Sequence, residues 1–185
     1  TAKAEGRLSF NPLKHIDPIG LLALILFRFG WAKPVHVDMR YFKKPKSGMA
    51  LVALAGPVSN FALALLSMLA LCLLSFFDAG AQWLYAFFSY LALISLGLGI
   101  FNLIPVPPLD GSKLFGALLP DRLYYKVLRY ERYGMLLLIA LLYIGWLNLP
   151  LAYARLYSAY YMLRAVAWPF PEAVFNQVFS QLFQF

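Results

Sequence analysis

"GMALVALAGPVSNFALALLSMLALCLLSFF", residues 48–77, runs for thirty residues without an Asp, Glu, Lys, Arg or His. About twenty apolar residues suffice for a helix to cross the hydrocarbon core of a bilayer. The stretch therefore predicts a membrane-spanning helix, and the rest of the chain reads outward from it. Composition agrees: of 185 residues, 62% are hydrophobic and 13% charged, and the mean hydropathy is +0.70. Soluble domains are nearer half apolar and a quarter charged, so a bilayer protein is expected. The length suits one compact domain over 1–185, with no room for a soluble appendage. The single cysteine, Cys72, lies inside the apolar run, which excludes a disulfide framework and suggests a small packing residue.

Upstream, "IGLLALILFRFG" (19–30) is apolar but too short to span, and Arg28 interrupts it, so a half-embedded or re-entrant segment is expected. "WAKPVHVDMRYF" (31–42) alternates from Val35, with Val35, Val37, Met39 and Tyr41 on one side. That is strand periodicity, restricted by Pro34 to an edge or a strand start. Downstream, "DAGAQ" (78–82) reads as an acidic turn, and a second span runs from Trp83 to about Pro105. A third span is expected over about 133–149, with Pro150 breaking or bending it. The remainder, about 151–185, is amphipathic and aromatic, which predicts a further short helix along or partly within the membrane. The expected fold is mainly α: a polytopic helical membrane protein with a small membrane-associated β segment.

The net charge of +8 does not point to nucleic acid, because the basic residues cluster in short connections between apolar runs. Residues 28–46 hold Arg28, Lys33, Arg40, Lys43, Lys44 and Lys46, and 110–132 hold Lys113, Arg122, Lys126, Arg129 and Arg132. The turn at 78–82 has no basic residue, so both basic loops are expected on the cytoplasmic side. Trp31, Trp83 and Trp146 fall near the expected interfaces.

"GIFNLIPVPPLDGSKL" (99–114) carries the chemistry. Pro105, Pro107 and Pro108 cannot continue a helix, since each lacks a backbone donor and clashes with the preceding turn. Opened backbone at membrane depth must be buried by protein or face a wet cavity. An ionisable group beside such a break is a candidate functional group. Asp110 is a short, hard oxygen ligand, and Gly111 lets the chain turn to aim it. The same residues also suit a plain Asp-Gly turn where a helix leaves the membrane, and locally both readings stand.

The chain resembles the site-2 protease family, the intramembrane zinc metallopeptidases. The likeness is carried by "GRLSFNPLKHIDPIG", "GWAKPV", "GMALVALAGPVSNF" and "FNLIPVPPLDGSKL", in that order. It implies that Asp110, in an N-x-x-P-x-x-P-L-D-G segment, is the third ligand of a catalytic Zn2+. It implies that Asn102 positions substrate or stabilises the oxyanion. A G-P-x-x-N motif matches Gly56, Pro57 and Asn60, which with Pro105, Pro108 and Gly111 would support the site. In the family, H-E-x-x-H supplies two His ligands on one helical face and a Glu as general base. The implied substrate is a membrane protein or peptide, cut in or near a membrane segment. The implied setting is a multi-pass protein of the prokaryotic plasma membrane, with the bilayer as its surroundings.

One departure is plain. H-E-x-x-H is absent: Glu5, Glu131 and Glu172 are not flanked by histidines. The family's helix bearing that motif lies just upstream of a segment like 1–20, so an N-terminally incomplete chain is expected, inactive as it stands. His15 and Asp17, spaced by two, suit a loop better than a metal-binding helical pair, and His15 is read as structural. His36 and Asp38 depart from the family's P-V-P-V-N-P near 34–39.

Asn60 and Asn102 also have plainer readings as interhelical hydrogen-bonding groups. The alternating segment suggests that Val35 and Val37 belong to an edge that pairs with an unwound substrate strand. Two other functions fit parts of the pattern. One is a non-catalytic scaffold of the same fold. The other is a small transporter or channel subunit, disfavoured because such proteins show repeated broken helices and one break is evident here.

Overall fold

The charge-free run forms the longest helix of a computed structural model that describes residues 9, 11, 15–27, 33, 37, 41–129 and 131–183. Two units are recognised, Thr1–Met49 and Ala50–Phe185, and each is described by itself.

In the first unit, α1 (Pro18–Phe27) is ten residues long, about 15 Å, half the thickness of a hydrocarbon core. Asp17 starts it: its Oδ1 accepts the backbone N–H groups of Ile19 at 2.9 Å and Gly20 at 3.3 Å. That satisfies two of the donors a helix N-terminus leaves open. The backbone N–H of Lys33 donates to the His15 carbonyl at 3.0 Å. Most of the expected alternating strand, including Val35, lies outside the described residues. Among the described residues there is no strand, and Tyr41 already opens the turn that leads into the next helix.

The long helix α2 (Pro45–Phe76) continues through Pro57, whose side chain is fully buried. It ends where Asp78 takes a left-handed φ of 46° and the N–H of Ala79 returns to the Leu74 carbonyl at 3.0 Å. After the acidic turn, α3 (Gln82–Asn102) stops three residues short of Pro105. The residue before a proline is held out of the α region, so the helix cannot run up to it. Two short helices follow, α4 (Asp110–Gly116) and α5 (Asp121–Arg129). Then come α6 (Glu131–Tyr143), α7 (Asn148–Ala167) and α8 (Glu172–Leu182).

Both α2 and α3 are long and apolar enough to cross a membrane. The expected third span differs. Its apolar stretch belongs to α6, thirteen residues or about 20 Å, too short to cross alone. Only together with α7 does it reach the needed length, and the two are bent by 85°. Nor is Pro150 the breaker. The break is a helix stop at Gly145, where φ is +78°. The N–H of Trp146 bonds the Leu141 carbonyl at 3.2 Å and that of Gly145 bonds Leu142 at 3.1 Å. That pairing closes a helix C-terminus and needs a residue without a Cβ penalty. Pro150 instead occupies the first turn of α7, where a missing N–H costs nothing.

The core joins four helices. Ala64, Met68, Leu71 and Cys72 of α2 meet Ala92 and Leu96 of α3, Ala159, Leu163 and Ala167 of α7, and Val174, Phe175, Val178 and Leu182 of α8. Alanines, together with buried Ser67, Ser89 and Ser95, let the backbones approach closely, as packing between helices in lipid requires. The C-terminal stretch expected to lie along the membrane thus supplies two helices of this core. Ser75 of α2 donates to Gln177 of α8 at 2.8 Å, and Arg164 of α7 pairs with Glu172 of α8 at 2.6 Å. The outward faces, with Leu51, Leu66, Phe87 and Ile94, stay apolar and exposed.

Candidate metal site at the broken helix

Asn102 is the last residue of α3, and the chain then opens as the prolines demand. The N–H groups of Leu103 and Ile104 close a final tight turn onto Ile100 and Phe101, both at 3.1 Å. Pro105 is exposed, and the Pro107–Pro108 peptide bond is cis. Leu109 is extended, and Asp110 starts α4. Ser112 ties this start down by donating its hydroxyl to the Leu109 carbonyl at 2.8 Å.

Three glycines set how tightly the parts close on Asp110. Gly111 is buried against the backbone carbonyls of Leu103 and Ile104, where a Cβ would collide with main-chain atoms. The head of α4 is thereby folded back onto the end of α3. On α2, a Cβ at Gly56 would stand 3.0 Å from Asp110 Oδ2, so this glycine makes room for the carboxylate. On α3, a Cβ at Gly99 would lie 3.4 Å from the Asn60 Cβ. Gly56 and Asn60 are four residues apart and share a helical face. That face meets the end of α3 through Asn60 and the Asp110 carboxylate through Gly56. Pro57, between them, is buried.

Gly99 and Gly134 also matter here, and neither stands out in the sequence. Gly134 of α6 sits against the Pro107 carbonyl with no room for a Cβ, so α6 packs directly on the proline segment. The apolar runs around both glycines hid them, because nothing local marks which helical glycine another backbone will approach.

Asp110 and Asn102 are both half-buried. Among the described residues neither the Asp110 carboxylate nor the Asn102 or Asn60 amide has a hydrogen-bond partner. The interhelical hydrogen bonds considered for the two asparagines are thus not formed among the described residues. Burial pushes the Asp110 carboxyl above its ordinary range, while the nearby Lys113 ammonium draws it back down. A half-buried acid without a donor is costly as it stands, and its chemistry suits a divalent cation.

The ligand set is incomplete. Among the described residues no three His, Cys, Asp or Glu side chains come together. Asp110 fits as one hard oxygen ligand, and a zinc site needs further protein ligands beside it. His15 and Asp17 belong to the other unit and are engaged locally: His15 Nδ1 lies 3.1 Å from the Asn11 carbonyl, and Asp17 caps α1.

Known proteins supply the context. Residues 76–145, which include Asn102 and Asp110, match the profile of peptidase family M50. YwhC of Bacillus subtilis (strain 168), named as a zinc metalloprotease, is 40% identical over 146 residues, covering 76% of this chain and 67% of YwhC. Rip2 of Mycolicibacterium smegmatis, similarly named, is 32% identical over 124 residues, 64% of this chain but 45% of Rip2. The zinc metalloprotease MJ0392 of Methanocaldococcus jannaschii is 35% identical over 83 residues, 45% of this chain and 23% of that protein. No solved structure gives a significant match.

Proposed function

This chain belongs to peptidase family M50, and from that premise we propose that it forms the membrane-embedded part of a zinc-dependent intramembrane endopeptidase. The carrying observation is the placement of Asp110. A proline-opened helix end delivers its carboxylate, without a hydrogen-bond partner among the described residues, against Gly56 of the longest span. Zinc, when bound, activates water and polarises the scissile carbonyl.

The residues of this chain have separable tasks. Asp110 would hold the metal through its carboxylate. Gly111 and Ser112 keep its backbone in place, and Gly56 leaves the space in which the carboxylate stands. The Asn102 amide, eight residues before Asp110, is available to orient a substrate carbonyl and to stabilise charge that develops on its oxygen. Substrates would be membrane proteins or peptides that unwind near the basic end of the bundle, the side expected to face the cytoplasm of a prokaryotic cell. Val35 and Val37, whose sequence alternation predicts an edge, would hold such a segment extended.

The deciding experiment uses the full-length polypeptide. Asp110→Ala should lose bound zinc and cleavage together, read by metal analysis and by proteolysis of a membrane-protein substrate. Zinc retained at the unaltered level would overturn the assignment. A scaffold of the same fold would show neither zinc nor cleavage before any substitution.

A further inference from the structure

Helix α7 carries two arginines whose surroundings differ. Arg164 is supplied by the protein itself: both Glu172 carboxylate oxygens accept from its Nη1, at 2.6 and 2.7 Å, and its guanidinium lies 5.0 Å from the Phe175 ring centre. Arg155 has no such partner; among the described residues no carboxylate or aromatic ring engages it. Yet it borders two clefts. One, of about 340 Å³, lies between the first turns of α7 and the end of α3, with Gly97 and Phe101 in its wall. The other, of about 660 Å³, runs along the outer face of α3 from Phe101 back to Tyr90, closed on one side by Leu182 and Phe183.

The second cleft has the proportions of an amphiphile. Its α3 wall spans the twelve residues from Tyr90 to Phe101, eleven helical steps or about 16 Å, which is the depth of one leaflet. Apart from Arg155 and the phenol of Tyr90, its lining side chains are apolar. Arg155 stands beside Phe101, next to the end of α3 from which the basic connection 110–132 departs. A cation among apolar side chains in a membrane needs an anion or a path to water. At this end of the bundle, the abundant anion attached to an apolar chain is a lipid of the negatively charged leaflet.

We propose that Arg155 and this groove bind one anionic phospholipid. The headgroup phosphate accepts paired hydrogen bonds from the guanidinium, a geometry that suits arginine better than lysine. An acyl chain follows the outer face of α3 past Leu98 and Ile94, covered by Leu182 and Phe183. The site touches none of the metal-site residues, so it is independent of the peptidase reading.

The test places the full-length polypeptide in nanodiscs of equal phosphatidylcholine and phosphatidylglycerol, and counts retained lipids by native mass spectrometry after partial delipidation. One phosphatidylglycerol should be kept in preference to phosphatidylcholine. Arg155→Leu should lower its retention about fivefold, the effect of one basic group at an anionic surface, and Arg155→Lys should restore part of it. Leu98→Trp, which fills the groove without altering charge, should lower retention too and decides the matter if Arg155→Leu fails to fold. Equal retention of the two lipids by the unaltered protein would overturn the proposal. So would unchanged phosphatidylglycerol retention in folded Arg155→Leu, including a case where only the KM for a protein substrate rises and the groove serves that substrate instead. The readout needs neither zinc nor cleavage, so it stands or falls apart from the peptidase reading.

Discussion

Gly56→Ala and Gly111→Ala separate metal positioning from folding, because the same added methyl group meets different neighbours. At Gly56 the new Cβ stands 3.0 Å from Asp110 Oδ2, the far end of a side chain that can rotate. Restoring an ordinary contact of about 3.4 Å moves that oxygen by roughly 0.4 Å. The helix itself gains, since alanine is favoured over glycine in a helix interior by up to about 1 kcal/mol. Folding stability should therefore hold or rise slightly. Metal–ligand distances tolerate only about 0.2 Å, however, and disturbing what orients a ligand costs on the order of 10–100-fold in affinity. At Gly111 the obstacle is main chain, the carbonyls of Leu103 and Ile104, which cannot swing aside. Overpacking of that kind costs about 1–3 kcal/mol. The assay is zinc competition against a chromophoric chelator on the full-length polypeptide, with thermal unfolding in detergent alongside. Gly56→Ala should weaken zinc by about tenfold at unchanged unfolding midpoint, whereas Gly111→Ala should lower the midpoint. Unchanged zinc affinity in Gly56→Ala would refute the claim that this glycine makes room for a ligand.

Two more outcomes bear on the same centre. Burial raises the Asp110 carboxyl in the metal-free fold, so the folded state binds this proton more tightly than the unfolded chain does. The stability it contributes is full below the ordinary aspartate range and is lost as pH rises through the raised value; Asp110→Asn should flatten that dependence in pH-dependent unfolding of the metal-free protein. Zinc held by this carboxylate would compete with the same proton, and its affinity should weaken on acidification from a higher pH than a solvated aspartate would show. Asn102→Ala should keep zinc but lower kcat by about 10²–10³-fold, the usual cost of one oxyanion donor; loss of zinc in that variant would instead make it a structural support of Asp110.

Much of the site was legible because its signals are local. Three prolines within four residues forbid a helix wherever they stand, and Asp110 follows them whatever the rest of the chain does. The i, i+4 relation of Gly56 and Asn60 likewise follows from helix geometry alone. The C-terminal helices were harder to read. Their aromatic, mixed pattern suggested a surface-lying segment, yet Leu163, Val178 and Leu182 are nearly fully buried among α2, α3, α7 and α8. The sequence points to Pro150 as the end of the third apolar stretch, whereas Gly145 stops the helix, because a proline in a first turn and a proline that breaks a helix look the same in sequence.

The linear chain by itself determined two apolar helices, a proline-opened end on the second, and a carboxylate placed just beyond it, because apolar length and proline geometry act over a few residues. Tertiary structure alone decided that Gly56 faces that carboxylate, that Gly111 and Gly134 clamp the opened backbone, and that α6 and α7 meet at 85°. Those outcomes depend on which helices touch, and in lipid that is settled by close packing of small residues rather than by hydropathy, which is nearly the same for every face of these helices.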